Sequence, residues 1–150
     1  MFSFSRKTDY ALLILTALAG RPEVFTPLKR LAEERRLPYR FVSRIVSPLC
    51  EHGLLESREG ARGGYRLKQH PSRISVWDVV VAEEGGMALT PCLDHARSSP
   101  CPQEVVCTAR RGIPTVQEIV AESLASHTLA DIMSGRRHAL QRAHLSARHA

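Results

Sequence analysis

The first third of the chain repeats apolar side chains with the period of an α-helix. A first helix is predicted over 6–19, with an apolar face made of Tyr10, Leu13, Ile14, Ala17 and Leu18. We expect Gly20 to end it in a left-handed turn. A second helix is predicted over roughly 27–36, because Thr26 and Pro27 suit its N-cap and its first position, and its inward residues are Leu28, Leu31 and Ala32.

A third helix is predicted to begin at Leu37-Pro38 and to end at Gly53, with an apolar stripe made of Phe41, Val42, Ile45 and Leu49. Pro48 lies inside this helix, where it removes one backbone hydrogen bond and crowds the preceding turn. We therefore expect a kink or an early break at that point.

The period then changes to that of β-strands. Residues 54–58 and 65–67 read as two short strands, and the segment 59–64, EGARGG, supplies the glycines of a tight turn. Three helices followed by a hairpin predict a winged helix-turn-helix.

The second half returns to a helical pattern around an irregular loop. Ser75 and Asp78 have the spacing of a capping box, which predicts a short helix to about Glu83. A Pro- and Ser-rich loop covers about 86–112, and Pro114 opens a helix whose stripe is Val116, Ile119, Val120, Ser123, Leu124 and His127. A turn or short helix follows at 128–132. The predicted fold is mainly α with a small β-hairpin wing.

The net charge of +6 is unevenly distributed. Residues 1–68 hold 13 Lys and Arg against 7 Asp and Glu, whereas residues 69–134 hold 4 against 8. A basic half beside an acidic one indicates a nucleic-acid-binding face joined to a separate module, although a solvated basic surface would give the same totals. We expect four regions: a DNA-binding domain at 1–70, a short helix and cysteine loop at 71–112, a C-terminal helix and turn at 113–134, and a basic, disordered tail at 135–150.

In a helix-turn-helix, the later of the two helices presents its first turns to the DNA bases. Here this is the predicted third helix. In this chain those turns carry Tyr39, Arg40, Ser43 and Arg44, and arginine pairs well with guanine. Arg36 precedes the helix and suits a phosphate, while Arg58 and Arg62 on the hairpin suit the backbone or the minor groove.

Three of the four cysteines lie close together, as Cys92, Cys101 and Cys107. Thiolates on an irregular loop can converge on one soft metal centre. The alternatives are a thiol redox switch and a zinc site, and zinc is disfavoured because no C-x2-C pair occurs. The fourth, Cys50, lies late on the third helix and reads as a small buried hydrophobe.

Several other function classes find no support. No phosphate-binding loop, nucleophile elbow or paired catalytic carboxylates are recognisable, so we do not expect an enzyme. An electron carrier would account for the cysteines but not for the basic half. Cysteines at irregular spacing, without a signal peptide or an apolar run that could span a bilayer, favour reduced thiols in the cytoplasm and no membrane partner.

Several stretches resemble the Rrf-type family of bacterial regulators, in its cluster-binding branch with the IscR, NsrR and RirA types. They are TDYALLILTALA, LAEERRLPYRFVSRIVSPLCEHGLLESREGARGGYRL and P-x-x-I-S-V-W-D-V-V, followed by three cysteines and TLADIM. The resemblance covers roughly residues 1–133. It implies a homodimer in which a long C-terminal dimerisation helix, here 114–127, crosses the same helix of the partner subunit. It also implies that this dimer binds a double-stranded DNA operator.

The resemblance also implies an iron–sulfur cluster bound by Cys92, Cys101 and Cys107. Asp9, by its place in KTDYAL, matches the aspartate that the partner subunit supplies in the NsrR type, which favours a 4Fe-4S cluster. The alternative for Asp9 is a helix-dipole interaction. His95 is a rival ligand that would fit a 2Fe-2S cluster.

Two departures from the family limit what carries over. The first gap between cysteines, C-x8-C, is longer than relatives commonly have, and Glu59 follows Arg58 where the family often has glycine. The predicted function is a transcriptional regulator, a repressor, whose DNA affinity depends on a cluster that senses nitric oxide, redox state or the supply of iron or clusters. The alternative is a cluster-free dimeric regulator that uses the cysteines as a thiol switch or zinc site.

Overall fold

The computed structural model describes residues 4–94 and 101–135, and it confirms the mainly α winged helix-turn-helix with its β-hairpin. The elements in chain order are α1 (Arg6–Ala19), α2 (Leu28–Arg35), α3 (Tyr39–Glu51), β1 (Leu55–Arg58), β2 (Gly64–Leu67), α4 (Val76–Glu84), α5 (Ile113–Ala125) and α6 (Leu129–Ser134). Short 3-10 turns lie at Pro71–Arg73, Pro91–Leu93 and Thr108–Arg111.

Helix α1 lies at the centre of the core. The Ser5 hydroxyl caps its N-terminus by accepting hydrogen bonds from the backbone N–H groups of Lys7 and Thr8, at 3.2 and 3.4 Å. The helix contacts α2, α3, α4, α6 and β2. Its fully buried apolar side chains are Ala11, Ile14, Leu15 and Leu18.

Two expectations about α1 are wrong. The sequence pattern places Leu13 on the apolar face, but this residue is 40% exposed, while Ala11 and Leu15 are buried. Because neighbouring elements surround α1 on several sides, its buried arc is broader than one stripe and is turned away from Leu13. Gly20 does not adopt a left-handed turn either, since its φ of −70° and ψ of −11° are right-handed.

The start of α2 also differs from the prediction. The helix begins at Leu28 with Pro27 at the N-cap position, and no side chain caps it. Thr26 is instead buried and pairs with Tyr65 of β2, with two backbone hydrogen bonds of 2.9 Å. Thr26, expected to cap α2, therefore joins the wing to the α1–α2 loop.

Helix α3 continues through Pro48 to Glu51, so the early break expected there does not occur. Val42, Ile45, Val46 and Leu49 hold this helix in the core from both sides of the proline. The Pro48 carbonyl still accepts a 2.9 Å bond from the backbone N–H of His52. Phe41, expected to be inward, is 38% exposed and packs edge-on against Tyr10, with ring centroids 5.7 Å apart.

The wing is a tight antiparallel hairpin in which Leu55 pairs with Leu67 and Arg58 with Gly64. Gly64 has a φ of +142°, and a Cβ there would lie 2.3 Å from the carbonyl oxygen of Thr26. Only glycine fits this approach between the hairpin and the α1–α2 loop.

Two capping boxes join the C-terminal segments to the core. The box of Ser75 and Asp78 opens α4 as predicted, and Thr128 with Asp131 forms a second box that opens α6. The two caps face each other across a β-bridge between Ser75 and Thr128. This bridge returns the chain to the core, where Leu129 is fully buried.

Helix α5 contacts α4 and has no buried residue, and Val116 and Ile119 are 47% and 60% exposed. No helix of the described residues is long and apolar enough to cross a membrane.

We predict that Gly64→Ala lowers the free energy of unfolding by at least about 2 kcal/mol, because it adds a backbone clash to an unfavourable φ. Gly60→Ala is the matched control, since Gly60 has a φ of +100° but a Cβ added there would meet no atom within 4 Å. We expect the control to cost about 1 kcal/mol, measured by thermal or urea unfolding. Equal losses for the two variants would contradict the clash.

Glu83 of α4 is a buried carboxyl group that is 8% exposed, and its Oε1 has no hydrogen-bond partner among the described residues. Burial raises the pKa of Glu83 to about 7, with a smaller increase from Glu84 and an opposing effect of Lys7. A carboxyl group whose pKa is higher in the folded state destabilises the fold as pH rises from the unfolded pKa through the folded one.

We predict that Glu83→Gln stabilises the protein above pH 7, by up to about 3 kcal/mol, and has little effect near pH 4.5. Thermal melts across this pH range would measure the difference. Glu118→Gln, on the exposed face of α5, makes the same charge change without burial. A Glu83→Gln effect that is independent of pH would contradict the explanation.

Candidate DNA-binding surface and cysteine loop

The recognition helix α3 presents polar side chains opposite its buried stripe. Tyr39 is 55% exposed, and Arg40 and Arg44 are exposed one turn apart. Neither arginine joins an ion pair within the described part of the chain. Ser43 is partly buried, and its hydroxyl donates a 3.0 Å bond to the carbonyl of Arg40. The two arginines and Tyr39 are therefore the exposed polar groups at the start of α3.

The turn between α2 and α3 is made by Arg36, which has a φ of +53°. Among the described residues, Arg36 is the one non-glycine residue with a positive φ. Such a conformation costs roughly 1–2 kcal/mol. The N–H of Leu37 compensates by donating a 2.9 Å bond to Ala32. The Arg36 side chain is exposed and helps line a cleft of about 530 Å³ between α2 and α3.

Two other basic residues near this surface are already paired. Glu34 accepts hydrogen bonds from both Arg21 and Arg30, at 3.1 and 2.7 Å. These two guanidinium groups lower the pKa of Glu34 to about 2, with Arg21 contributing most. The single carboxylate therefore offsets one of their two positive charges, whereas Arg40 and Arg44 have no such partner among the described residues.

The wing carries Arg58 and Arg62, both exposed. Arg58 Nη2 donates a 2.9 Å bond to the carbonyl of Arg62. The Arg58 guanidinium carbon also lies 4.2 Å from the ring centroid of Phe25, in the α1–α2 loop. Sequence reasoning does not find Phe25, because an isolated aromatic residue far from the hairpin carries no signal for this contact.

The three cysteines lie on the loop between α4 and α5. Cys92 is exposed in a 3-10 turn, with its sulfur 3.1 Å from the Thr90 hydroxyl, while Cys101 and Cys107 are partly exposed. All are free thiols. The start of the loop is held to α5 by the N–H of Leu89, which donates a 3.0 Å bond to Gln117 Oε1.

The described residues of one protomer contain no group of three or more His, Cys, Asp or Glu placed to hold a metal. Asp9 lies exposed in the first turn of α1 and belongs to no such group within one protomer. His95 lies outside the described residues. The donor chemistry nevertheless fits an iron–sulfur cluster, since three free thiols lie on an irregular loop that surrounding helices leave accessible.

Cys50 lies apart from this loop and packs against the hydrophobic core. Burial raises the pKa of its thiol, and the charge of Glu51 adds to the effect. Both features disfavour the reactive thiolate form.

A helix-turn-helix with exposed arginines on its second helix, followed by a hairpin, defines a winged-helix DNA-binding protein. Residues 4–135 match the family model Rrf2, described as an iron-dependent transcriptional regulator. The chain belongs to the Rrf2 family of transcriptional regulators, as its resemblance predicted, and it is a regulator rather than an enzyme.

Relatives of known name lie within this family. The chain is 31% identical to the HTH-type transcriptional regulator NsrR of Geobacillus kaustophilus over 130 residues, which is 86% of this chain and 88% of that protein. It is similar to the structure of CymR, the global cysteine regulator of B. subtilis, with 31% identity and a TM-score of 0.70 over 91% of this chain and 100% of that one. T. potens IscR is 26% identical, with a TM-score of 0.68 over 93% and 91% of the two chains.

We predict that Arg40→Ala or Arg44→Ala weakens duplex binding about tenfold and lowers the slope of log affinity against log salt by about one, because one cationic contact is lost. Fluorescence anisotropy with a duplex selected from a random-sequence library would measure both. Arg73→Ala, an equal charge change outside the helix-turn-helix and wing, serves as the control. A control that weakens binding as much would show that total charge, and not these positions, determines affinity.

Proposed function

We propose that this protein is a homodimeric transcriptional repressor whose affinity for DNA is controlled by an iron–sulfur cluster bound to Cys92, Cys101 and Cys107. The main support is the gathering of three free thiols on one irregular loop in a chain of the Rrf2 family. The cluster would respond to nitric oxide, to redox state or to the supply of iron or clusters. A 4Fe-4S cluster is favoured over a 2Fe-2S cluster.

For the DNA contacts we propose Tyr39, Arg40, Ser43 and Arg44 in the major groove. The remaining contacts would be made by Arg36 at a phosphate and by Arg58 and Arg62 on the backbone or in the minor groove. Exposure supports these assignments, and Ser43, with its hydroxyl already bonded to Arg40, is the weakest of them. The regions 1–70, 71–112, 113–134 and 135–150 would serve as DNA-binding domain, cluster loop, dimerisation segment and basic tail.

The dimer is proposed from α5. A helix of 13 residues with none buried, and with Val116 and Ile119 exposed, has an apolar stripe that one protomer leaves in water. A second copy of α5 would cover it. The same arrangement would bring Asp9 of the partner subunit to the cluster as a fourth, oxygen ligand, with His95 as the rival.

A direct contact links α4, the helix that leads into the cysteine loop, to the DNA-binding domain. The Glu84 carboxylate, at the end of α4, accepts a hydrogen bond from the buried hydroxyl of Thr8 and a 3.4 Å bond from the N–H of Ser5. The loop begins directly after this helix, and Asp9 follows Thr8. We propose that a change in the loop reaches the first turn of α1 through this contact. A signal would shift DNA affinity only if the two loop states favoured different domain positions.

The second candidate is a cluster-free dimer that uses the cysteines as a thiol switch or zinc site. Two observations favour it: the likeness to CymR, a cysteine regulator, and the absence of a group placed to hold a metal among the described residues of one protomer. Iron and sulfide content distinguishes the two candidates.

We predict that protein purified without oxygen has broad visible absorption and contains about four iron and four sulfide per chain. Cys92→Ala, Cys101→Ala and Cys107→Ala should each lose most of both, whereas Cys50→Ala should retain them, since Cys50 packs against the core. Trp77, the single tryptophan, gives a second readout, because a bound cluster should quench its fluorescence.

A colourless protein that remains colourless after anaerobic reconstitution would refute the cluster. Zinc in its place, or loss of DNA binding on thiol oxidation, would support the second candidate.

A further inference from the structure

Phe25 lies against two arginines of the wing. The guanidinium carbon of Arg58 is 4.2 Å from the centroid of its ring, and that of Arg66 is 4.5 Å away. Phe25 belongs to the loop between α1 and α2, so these contacts cross from the helices to the hairpin. A cation over an aromatic ring at this distance is attracted by the ring's electrons.

Neighbouring contacts fix the distance between this ring and the wing. Thr26, the next residue, exchanges two 2.9 Å backbone hydrogen bonds with Tyr65. The absence of a side chain at Gly64 allows the two segments to approach this closely. The backbone next to Phe25 is therefore held against the hairpin, which keeps the ring within reach of the wing arginines.

The two arginines differ in how their charge is compensated. Arg66 Nε lies 2.5 Å from a Glu56 oxygen, and Arg66 Nη1 lies 3.8 Å from a Glu23 oxygen. Arg58 joins no ion pair among the described residues, and its one side-chain bond goes to the neutral carbonyl of Arg62. Arg58 therefore keeps a full positive charge while its side chain is held in one direction.

We infer that Phe25 is a positioning residue for DNA binding, which orients the Arg58 guanidinium towards the duplex before the duplex arrives. Stacking uses the flat face of the guanidinium and leaves its N–H edges for phosphate or base oxygens. An unrestrained arginine loses rotamer entropy when it binds, and the ring and the Arg62 carbonyl reduce that loss. The inference rests on the DNA contact proposed above for Arg58.

The test is a double-mutant cycle in the full-length protein, with a duplex that the wild type selects from a random-sequence library. Phe25→Leu keeps an apolar side chain and removes the ring, so we expect binding to weaken about two- to fivefold. Phe25→Tyr keeps the ring and should bind within about twofold of the wild type. In an Arg58→Ala background, Phe25→Leu should have no further effect, whereas a purely structural role would weaken binding in both backgrounds.

The outcomes separate the inference from the function on which it rests. A wild type that binds no duplex would refute DNA binding and the inference together. Arg58→Ala without effect would refute the Arg58 contact and, with it, the role of Phe25. Additive losses would refute the role of Phe25 alone.

A second variant covers the case in which Phe25→Leu does not fold. Phe25→Met keeps a flexible apolar side chain of similar size and removes the ring, so the same two- to fivefold loss is expected. Wild-type affinity in this variant would overturn the inference.

Discussion

Burial of α1 is the constraint that organises the remaining elements. Its side chains Ile14, Leu15 and Leu18 have no exposed surface, and the helix contacts the recognition helix region, the wing, α4 and α6. Each fully buried aliphatic side chain contributes about 1.5–3 kcal/mol. The elements of the helix-turn-helix and wing, and α4, which leads to the cysteine loop, therefore pack on the same helix. A displacement of α1 would disrupt its buried contacts with both groups of elements.

The hydrogen bond from Thr8 to Glu84 adds an interaction of defined geometry to this shared core. Hydrophobic contacts tolerate small sliding motions, whereas a buried hydroxyl bonded to a carboxylate allows few alternative arrangements. It lies at the end of α4, directly before the loop, and therefore fixes this end of α4 against the first turn of α1. Glu83 precedes Glu84 on α4, and burial raises the pKa of its carboxyl group to about 7.

The sequence predicted elements whose signal is local. Helical periodicity identified α1 to α3, the glycine-rich turn identified the hairpin, and the Ser75–Asp78 spacing identified a capping box. It failed where distant partners decide the outcome. Thr26 has a side chain suited to an N-cap but forms a β-bridge with Tyr65 instead. Phe25 contacts Arg58 only because the wing folds back on the α1–α2 loop. The proposed ligand set is harder still, because a site shared between subunits would leave no complete pattern in one chain.

The Ser75–Thr128 bridge has a consequence for the long gap between the first two cysteines. The chain leaves the core after Gly85 and is fastened again at Leu129, so the whole cysteine-bearing excursion is closed at its base by the folded protein. The entropic cost of closing a loop rises only with the logarithm of its length. Insertions between Cys92 and Cys101 therefore cost little free energy of folding, and the helix-turn-helix and the wing need not move to accommodate them.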